Sequence, residues 1–277
     1  MTGTEANKRT RVAVAQMTST SDVEANLSAV RRCCNEAHSL GAELLVLPEC
    51  FAYLGPEEGK FAIAETLPKG GAILDFCRDL AKEFSLELVL GGFWESIPDD
   101  SKHVYNSELL LGNDGELKAV YRKIHLFDVD LADGTSLRES DTVCSGTESV
   151  LADSVAGKLG LSICYDIRFP ELYRRLVDDG AQLIAVPAAF TLTTGKDHWH
   201  VLLRARAIET QCYMLAAAQF GKHFGNRVSY GHALIVDPWG CVIAECSDGQ
   251  GVAVATIDLE RQNKIRTSLP SLKHRRL

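Results

Sequence analysis

The sequence lacks the patterns that mark several common classes of protein. Its 277 residues contain no apolar run close to the roughly 20 residues that a membrane-spanning helix needs. The nine cysteines form no CxxC pair and no disulfide framework, which argues against a zinc knuckle or a thioredoxin-type motif. Acidic residues exceed basic ones and give a net charge of −8, so the sequence predicts no nucleic-acid partner and no membrane partner.

Motifs for metals, nucleotides and serine nucleophiles are also missing. There is no HExxH helix, no P-loop and no GxSxG elbow. The glycine pair in 249–251 precedes a predicted strand rather than a helix, so it is no dinucleotide site. His198 and His200 are two residues apart on a predicted helix and point in different directions. The sequence therefore predicts neither a metal nor an organic cofactor.

The first residues carry no recognisable targeting signal. The chain begins with polar residues instead of an apolar h-region, and no Arg-rich amphipathic leader precedes Val12. We expect residues 1 to about 10 to be a flexible lead-in. Unpaired cysteines suit a reducing compartment, so the expected location is the cytoplasm.

Strand and helix patterns alternate along the chain, which indicates an α/β fold. Ser21 and Glu24 form a capping box for a helix that ends near Gly41. Asn113-Asp114-Gly115 predicts a hairpin turn. Strands are predicted at 11–17, 43–47, 86–93, 157–165, 181–187, 213–219, 231–237, 242–246 and 252–257, and the other helices at 70–84, 170–180 and 197–211.

One internal repeat suggests two similar halves. Residues 41–48 and 180–187 match almost position for position, and each segment follows a helix and ends in proline. If the repeat reflects two similar structural halves, equivalent strand ends meet in one central cleft. The alternative is that the two segments converged on a common helix–glycine–strand sequence pattern. No linker rich in glycine, serine or proline separates the halves, so we expect a single domain over 1–277.

Three reactive side chains stand at or near predicted strand ends. Cys164 ends an apolar strand, and a thiolate there could act as a nucleophile if a base lay beside it; a buried inert cysteine is the alternative. Glu49 follows Pro48 at another strand end and could be a base, a helix cap or an ion-pair partner. Lys123 follows a hairpin strand, where a solvated lysine is the common case.

Taken together, three segments resemble the nitrilase superfamily of carbon–nitrogen hydrolases. They are Pro-Glu-Cys-Phe at 48–51, Arg-Lys-Ile-His-Leu-Phe at 122–127, and the segment around the cysteine at 161–171. The resemblance extends from Val12 to the C-terminus, with the motifs in the family's order. It implies a four-layer αββα sandwich with pseudo-twofold halves.

The resemblance also assigns roles to individual residues. It places the family's catalytic residues on Glu49, Lys123 and Cys164, and its supporting glutamate on Glu139. In that mechanism the glutamate accepts the thiol proton, and the lysine and the backbone N–H of Tyr165 stabilise the oxyanion. The glutamate then protonates departing ammonia and activates the water that hydrolyses the thioester.

Within the superfamily, the chain resembles the Nit branch, the deaminated-glutathione amidases, most strongly in 190–195 and 203–209. The expected substrate is therefore a small anionic amide, with another ω-amidase or nitrilase-family amidase activity as the alternative. Arg168 could bind a substrate carboxylate or pair with a nearby acid, and Phe190 and Thr194 would line the pocket.

The same resemblance bears on assembly and location. Family members are usually homodimers or larger, and some relatives also occur in mitochondria. The predicted helix at 170–177 is a candidate subunit surface because Leu172, Leu176 and Val177 give it apolar character, although these residues could belong to the core.

Two other functions stay open at this stage. One is a Cys–His hydrolase that uses His125 or His232 as base, although the papain-type cysteine context is missing. The other is an interaction protein on a hydrolase fold, because fold alone does not fix function.

Overall fold

A computed structural model of the protein describes residues 9–130 and 136–276. The strands are β1 (Arg9–Met17), β2 (Leu44–Leu47), β3 (Glu87–Ile97), β4 (Asp100–Leu111), β5 (Leu117–Arg122), β6 (Asp128–Asp130), β7 (Ser136–Arg138), β8 (Val143–Cys144), β9 (Leu151–Ser154), β10 (Gly157–Leu161), β11 (Leu183–Ala185), β12 (Tyr213–Ala216), β13 (Ala218–Lys222), β14 (Val228–Tyr230), β15 (Leu234–Val236), β16 (Val242–Glu245) and β17 (Gly251–Asp258). The helices are α1 (Val23–Ser39), α2 (Gly59–Ile63), α3 (Ala72–Phe84), α4 (Pro170–Asp178), α5 (Leu192–Thr210) and α6 (Leu259–Ser268), with 3₁₀ turns at Glu139–Asp141, Cys164–Arg168 and Ser271–His274.

Two sheets repeat the same strand pattern. In the first sheet the central order is β17-β1-β2-β3-β4-β5, and in the second it is β9-β10-β11-β12-β15-β16. In each, the second, third and fourth strands are mutually parallel and the outer ones antiparallel. Strands β2 and β11, which carry the internal repeat, occupy the same central position. The two similar halves expected from the sequence are therefore present.

The first sheet has helices on one face and the second sheet on the other. Successive residues of a strand point to opposite faces, so β1 and β2 contribute to two separate cores. The residues that pack with α1 and α3 include Ala13, Ala15, Leu45 and Leu47. The residues that pack toward the second sheet include Val12, Val14, Leu44 and Val46. Full burial of each large aliphatic side chain contributes about 1.5–3 kcal/mol.

Helices α4 and α5 complete the fourth layer. Leu172 and Leu176 of α4 and Trp199 of α5 are buried in the cluster that contains the second sheet, and Val177 packs against it. The layers are therefore helix, sheet, sheet, helix, as the resemblance implied. The apolar face of α4, which the sequence offered as a subunit surface, is instead part of this core, because the helix uses it to cover its own sheet.

The chain passes from one sheet to the other close to the strand ends. The sequence predicted one strand over 213–219, but β12 belongs to the second sheet and β13 to the first, with Ala217 between them. The largely apolar run over 213–219 gives no sign of such a change, because it is buried throughout. The crossing brings Gln219 next to the first sheet's strand end, where it contacts Glu49.

Several predicted boundaries were wrong for local reasons. Helix α5 begins at Leu192 rather than near 197, because Thr193, Thr194 and Gly195 are poor helix formers that tertiary packing holds helical. Strand β15 covers only Leu234–Val236, and β1 includes Arg9 and Thr10 of the expected lead-in, whose residues 1–8 lie outside the described residues.

Two turn predictions had different outcomes. Helix α1 is capped by Asp22, whose carboxylate accepts the Ala25 N–H at 3.0 Å, so the predicted Ser21 cap was wrong by one residue. The hairpin between β4 and β5 is confirmed, with Gly115 in the left-handed region that such a turn requires. Within the described residues, no helix has both the length and the apolar character to cross a membrane.

Candidate active site

The proline-terminated ends of β2 and β11 meet at a pair of glycines in β3. A Cβ added at Gly91 would lie 2.3 Å from the Cβ of Pro187 and 2.6 Å from the Leu47 carbonyl oxygen. A Cβ at Gly92, whose φ is +63°, would lie 2.3 Å from the Cys50 nitrogen. Only glycine fits here, and the register of β3 shifts at this point. The cleft expected at the ends of the parallel strands is therefore present.

Glu49 occupies the first strand end and is held on both carboxylate oxygens. Its Oε1 accepts hydrogen bonds from Lys123 Nζ at 2.9 Å and Asn106 Nδ2 at 3.0 Å, and its Oε2 accepts the Ala189 N–H at 2.9 Å. Its backbone carbonyl accepts a bond from Gln219 at 3.0 Å. The side chain is buried but fully paired, so it has one orientation.

Lys123 is also buried, in contrast to the solvated lysine common on edge strands. Its Nζ lies 3.1 and 2.9 Å from the two oxygens of Glu139. Asn106 Nδ2 donates to Glu139 Oε1 at 3.0 Å, and the Phe127 N–H donates to Glu139 Oε2 at 2.7 Å. The lysine and the asparagine thus bridge the same two carboxylates, Glu49 and Glu139.

Cys164 stands where the second sheet meets this cluster. The predicted strand over 157–165 was wrong at its end: β10 stops at Leu161, and Cys164 opens a 3₁₀ turn. The φ of Cys164 is +46°, unusual for a residue with a side chain, and its N–H donates to the Pro187 carbonyl at 2.9 Å. Such backbone strain persists where the surroundings fix it and often accompanies function. The thiol lines the same cavity as Glu49, and the two groups are close enough to shift each other's pKa.

Asp166 fixes both the cysteine turn and the lysine segment. This fully buried carboxylate accepts the Tyr121 hydroxyl at 2.7 Å and the Ile163 N–H at 2.8 Å. It also accepts the backbone N–H of His125 at 3.1 Å and contacts His125 Nδ1 at 2.7 Å. Because these partners flank Cys164 on one side and Lys123 on the other, Asp166 sets the distance between the two segments.

Burial and charge determine which group holds each proton. Burial raises the pKa of the Glu49 carboxyl, but the Lys123 ammonium and the hydrogen bonds outweigh it and bring this pKa below its ordinary 4.5. Burial lowers the pKa of Lys123, yet Glu139 and Glu49 raise it well above 10.5. Burial and the charge of Glu49 raise the pKa of Cys164 well above 9.0. At rest, the proton that Glu49 could accept is therefore on sulfur.

A cavity of about 410 Å³ opens over these groups. Its lining contains all four residues that the sequence analysis placed at the substrate: Tyr165, Arg168, Phe190 and Thr194. Tyr165 is the second residue of the 3₁₀ turn, and the first N–H groups of a helix have no acceptor within it. That N–H is therefore free to bind an oxyanion. The volume suits a ligand of the size of a small peptide.

Sequence reasoning missed two residues of the site. Asn106 lies on β4 among other polar residues, so its polarity alone could not have singled it out. Arg227 lines the cavity from the connection between β13 and β14, and its sequence neighbours, Asn226 and Val228, form no motif. Asn106 lies far in sequence from the two carboxylates that it joins, Glu49 and Glu139.

The structure does not place a histidine as base for Cys164. His125 is bound to Asp166, and its ring stacks on Phe169 at 3.7 Å. His232 Nδ1 lies 2.9 Å from Glu245. Within the described part of the chain, the cavity lining includes neither histidine. The geometry therefore favours Glu49 over either histidine as proton acceptor.

The remaining histidines take separate partners. His198 contacts Arg168, whereas His200 Nε2 lies 2.8 Å from Glu245, as expected for side chains that point apart. The same Glu245 oxygen also contacts His232, so α5, β16 and the segment after β14 are tied together. The expectation that the chain binds no metal stays a prediction.

Comparisons with known proteins agree with this geometry. The family model for carbon-nitrogen hydrolases matches residues 11–267. The chain is 46% identical over 271 residues to the deaminated glutathione amidase of Bos taurus, covering 96% of this chain and 81% of that protein. Among solved structures, the Caenorhabditis elegans NitFhit protein superposes with a TM-score of 0.92 at 42% identity, covering 98% of this chain and 66% of that one.

A third relative carries information about the cysteine. A mutant form of the amidase from Nesterenkonia sp. AN1 superposes with a TM-score of 0.79 at 25% identity, covering 98% of this chain and 95% of that one. That structure shows covalent addition of the acetamide moiety of fluoroacetamide at its active-site cysteine. The family model spans nearly the whole chain, and the bovine relative is similar over almost the same length. The protein belongs to the carbon–nitrogen hydrolase family.

Proposed function

We propose that this protein is a thiol amidohydrolase in which Cys164 is the nucleophile, Glu49 the general base and Lys123 an electrophilic partner. One observation carries the proposal: Cys164, Glu49 and Lys123 line the same cavity, and the Glu49 carboxylate is bound to the buried Lys123 ammonium at 2.9 Å. A thiol needs such a neighbouring base because the thiolate is the reactive form. The adduct on the relative's cysteine supports the same role for this one.

The first half of the reaction forms a thioester. Glu49 accepts the thiol proton, and the sulfur attacks the amide carbon. The carbonyl electron pair moves onto oxygen, where Lys123 Nζ and the Tyr165 N–H stabilise the charge. Removal of one such donor typically lowers the rate about 10²–10³-fold. When the intermediate collapses, the C–N bond breaks and Glu49 returns its proton to the departing nitrogen.

The second half consumes water. Glu49, again ionised, accepts a proton from a water molecule whose oxygen attacks the thioester carbon. Collapse of this second intermediate breaks the C–S bond, releases the acid and returns the proton to sulfur. Glu139 does not meet the reacting atoms in this scheme. It keeps Lys123 oriented and charged through its two contacts at 2.9 and 3.1 Å.

As substrate we propose deaminated glutathione, the compound in the names of the mammalian relatives. Glutathione without its amino group keeps a carboxylate at each end and contains only secondary amides. Cleavage of the first amide therefore releases a cysteinyl-glycine amine. Ammonia, which the sequence analysis expected, would come only from a primary amide. Arg168 at the cavity supports an anionic substrate, because a guanidinium binds a carboxylate through two hydrogen bonds.

The decisive experiment replaces the nucleophile. Cys164→Ala should lower hydrolysis of deaminated glutathione by roughly 10³-fold or more, because no thioester can form. Product formation is measured by mass spectrometry of the released dipeptide. Cys77→Ala is the matched control, since Cys77 is also buried but belongs to α3 and does not line the cavity.

Folding of both variants is checked by circular dichroism and thermal unfolding. Deletion of one sulfur should lower stability only modestly. Turnover at the wild-type rate by a folded Cys164→Ala variant would contradict the assignment. Wild-type turnover of short ω-amides with none of deaminated glutathione would keep the chemistry but refute the substrate.

We also propose that the protein acts in the cytoplasm as a homodimer. Unpaired cysteines support the location, because the nine thiols are free in the structure and would oxidise elsewhere. Two-fold pairing is the commonest assembly of soluble enzymes and is usual for the family.

A further inference from the structure

The cavity is lined by several cations, and most of them have acidic partners. Lys60 pairs with Glu57, Lys123 with Glu49 and Glu139, and Arg138 with Asp130. In each pair the acidic partner offsets the positive charge of the lysine or arginine, so little charge is left to attract an anionic ligand.

Two arginines at the cavity differ from these. Among the described residues, the Arg168 guanidinium contacts only the ring nitrogen of His198, at 3.2 Å, and the faces of Phe190 and Tyr165. Arg227 has no ion pair or side-chain hydrogen bond with any described residue. Acidic residues are not scarce in the chain, which has 37 of them against 29 basic residues, yet no described acidic residue forms an ion pair with either guanidinium. Unpaired guanidiniums on a concave surface are suited to an anionic ligand.

The two guanidiniums approach the cavity from opposite elements. Arg168 ends the 3₁₀ turn of the nucleophile and lies over the Phe190 ring, with 5.1 Å to the ring centre. Arg227 belongs to the turn between β13 and β14, and Gln219 of β13 donates to the backbone carbonyl of Glu49 at 3.0 Å. One cation therefore stands on the side of the acyl-forming cysteine, and the other on the side of the general base.

We propose that Arg227 is a specificity-determining residue that binds the carboxylate of the leaving group. The inference rests on the proposed function, in which Glu49 protonates the departing nitrogen. The leaving group must then extend past Glu49, which is the side of the cavity that β13 and the turn of Arg227 approach. Arg168 is left for the carboxylate of the acyl half. The substrate class is thus an amide with a carboxylate at each end.

The surroundings of Arg227 fit a residue that closes on its ligand. Its backbone is held in a tight turn, with its N–H donating to Phe224 at 2.9 Å and its carbonyl accepting from His223 at 3.0 Å. Gly225, in the same turn, has φ +52° and open space around it. The backbone is therefore anchored while the long side chain keeps its rotamers. No described residue accepts a hydrogen bond from the Arg227 guanidinium, and a carboxylate ligand would supply that acceptor.

The test compares two substrates that differ in one group. Deaminated glutathione is assayed beside its C-terminal carboxamide, which lacks only the leaving-group charge. The wild type should prefer the carboxylate form by about 10–100-fold in kcat/KM, the usual effect of one charge-assisted contact. In Arg227→Met the preference should fall to near unity, through loss of activity on the carboxylate form alone. Arg168→Met should slow both substrates equally.

Arg138→Met is the control, because Arg138 also lines the cavity but is paired with Asp130. It should leave the wild-type preference between the two substrates in place. If Arg227→Met keeps that preference, or loses both activities to the same extent, the inference is overturned.

A binding measurement separates this inference from the proposed function. Dissociation constants of both compounds are measured by calorimetry on Cys164→Ala, with and without Arg227→Met. If the wild type hydrolyses neither compound but Cys164→Ala binds the carboxylate form about 10-fold more tightly through Arg227, the anion site stands and the proposed reaction fails. Equal binding of both compounds by Cys164→Ala would overturn the anion site.

Discussion

Asn106 lies between the two carboxylates of the site and gives one hydrogen bond to each, both at 3.0 Å. An amide nitrogen can only donate, so it stabilises Glu49 and Glu139 in their ionised forms. Lys123 bridges the same pair, and its own N–H donates to the Asn106 carbonyl. A neutral side chain thus helps to keep Glu49, the proposed general base, charged without adding a second cation.

Asn106→Ala should therefore lower kcat about 10-fold and change KM little, because the lost bonds orient the base rather than the substrate. The pKa of Glu49 lies below 4.5 in the wild type, so activity should fall only below that pH. Without the Asn106 donor this pKa rises, and the acid limb of kcat/KM should move to higher pH. The measurement is a pH–rate profile of both proteins.

Ser107→Ala is the matched control for this change. Ser107 is the next residue, is equally buried, and donates to Glu95 on the other face of the strand. It should leave the acid limb where it is in the wild type. An unshifted profile in Asn106→Ala, or an equal shift in Ser107→Ala, would show that Asn106 does not tune the base.

At the scale of an element, strand β4 carries a second polar side chain on the same face as Asn106. Glu108 is fully buried between the sheets, and burial raises its pKa well above 4.5. The nearby Ser162 N–H partly offsets this rise in the pKa. Neither Glu108 carboxylate oxygen, however, has a partner among the described residues that meets hydrogen-bond geometry. An unpaired buried carboxyl keeps its proton.

Glu108→Gln should stabilise the protein at neutral pH. A group whose pKa is raised on folding contributes stability below its unfolded pKa, near 4.5, and loses it as pH rises toward the folded value. Glutamine has the same shape and no charge to lose. The free energy of unfolding of Glu108→Gln should therefore exceed that of the wild type by a margin that grows above pH 5, by up to about 1.4 kcal/mol per pH unit. Urea unfolding at pH 5, 6 and 7 measures it.

Glu95→Gln provides the contrast. Glu95 is also buried but is paired with Arg122 at 2.6 Å and accepts from Ser107, so its replacement should destabilise the fold. If Glu108→Gln is less stable than the wild type at pH 7, or its effect does not change with pH, Glu108 is charged and satisfied after all.

At the scale of the whole molecule, the exposed apolar residues indicate where a second copy could bind. Val201 and Ile208 are seven residues apart on α5, about two turns, and therefore lie on one face. They are 65% and 50% exposed. Trp239 is 54% exposed, and its neighbour Gly240 lies against Ile208. This face replaces the buried face of α4 as the candidate surface of the proposed dimer.

Light scattering at micromolar concentration should give twice the mass of the chain. Val201→Glu combined with Ile208→Glu should halve it, because two charges would be buried in an apolar contact. Leu40→Glu, on an exposed apolar residue at the end of α1, should leave the dimer intact. A monomeric wild type would contradict the assembly, and a dimer that survives the double change would contradict the surface.

The sequence by itself determined the positions of the reactive groups. Glu49 and Cys164 were predicted at strand ends because apolar runs, prolines and helix starts depend on near neighbours in the chain. Glu49 does follow the end of β2, whereas β10 stops at Leu161 and Cys164 opens the 3₁₀ turn beyond it. The repeated segment likewise predicted two equivalent halves, since each half repeats the same local pattern. Lys123 gave no local signal of burial and was identified only through the family's motifs.

Only the tertiary structure decided how these groups are paired. Glu49 meets the Ala189 N–H across 140 residues and Asn106 across 57, through contacts fixed by sheet packing and by the crossing at Ala217. The absence of an ion pair between Arg227 and the described residues, and the burial of one face of α4, were likewise decided by tertiary structure, because each depends on which distant side chains lie nearby. Hydrophobic periodicity states that a face is buried, but the register and layering of the sheets determine what covers it.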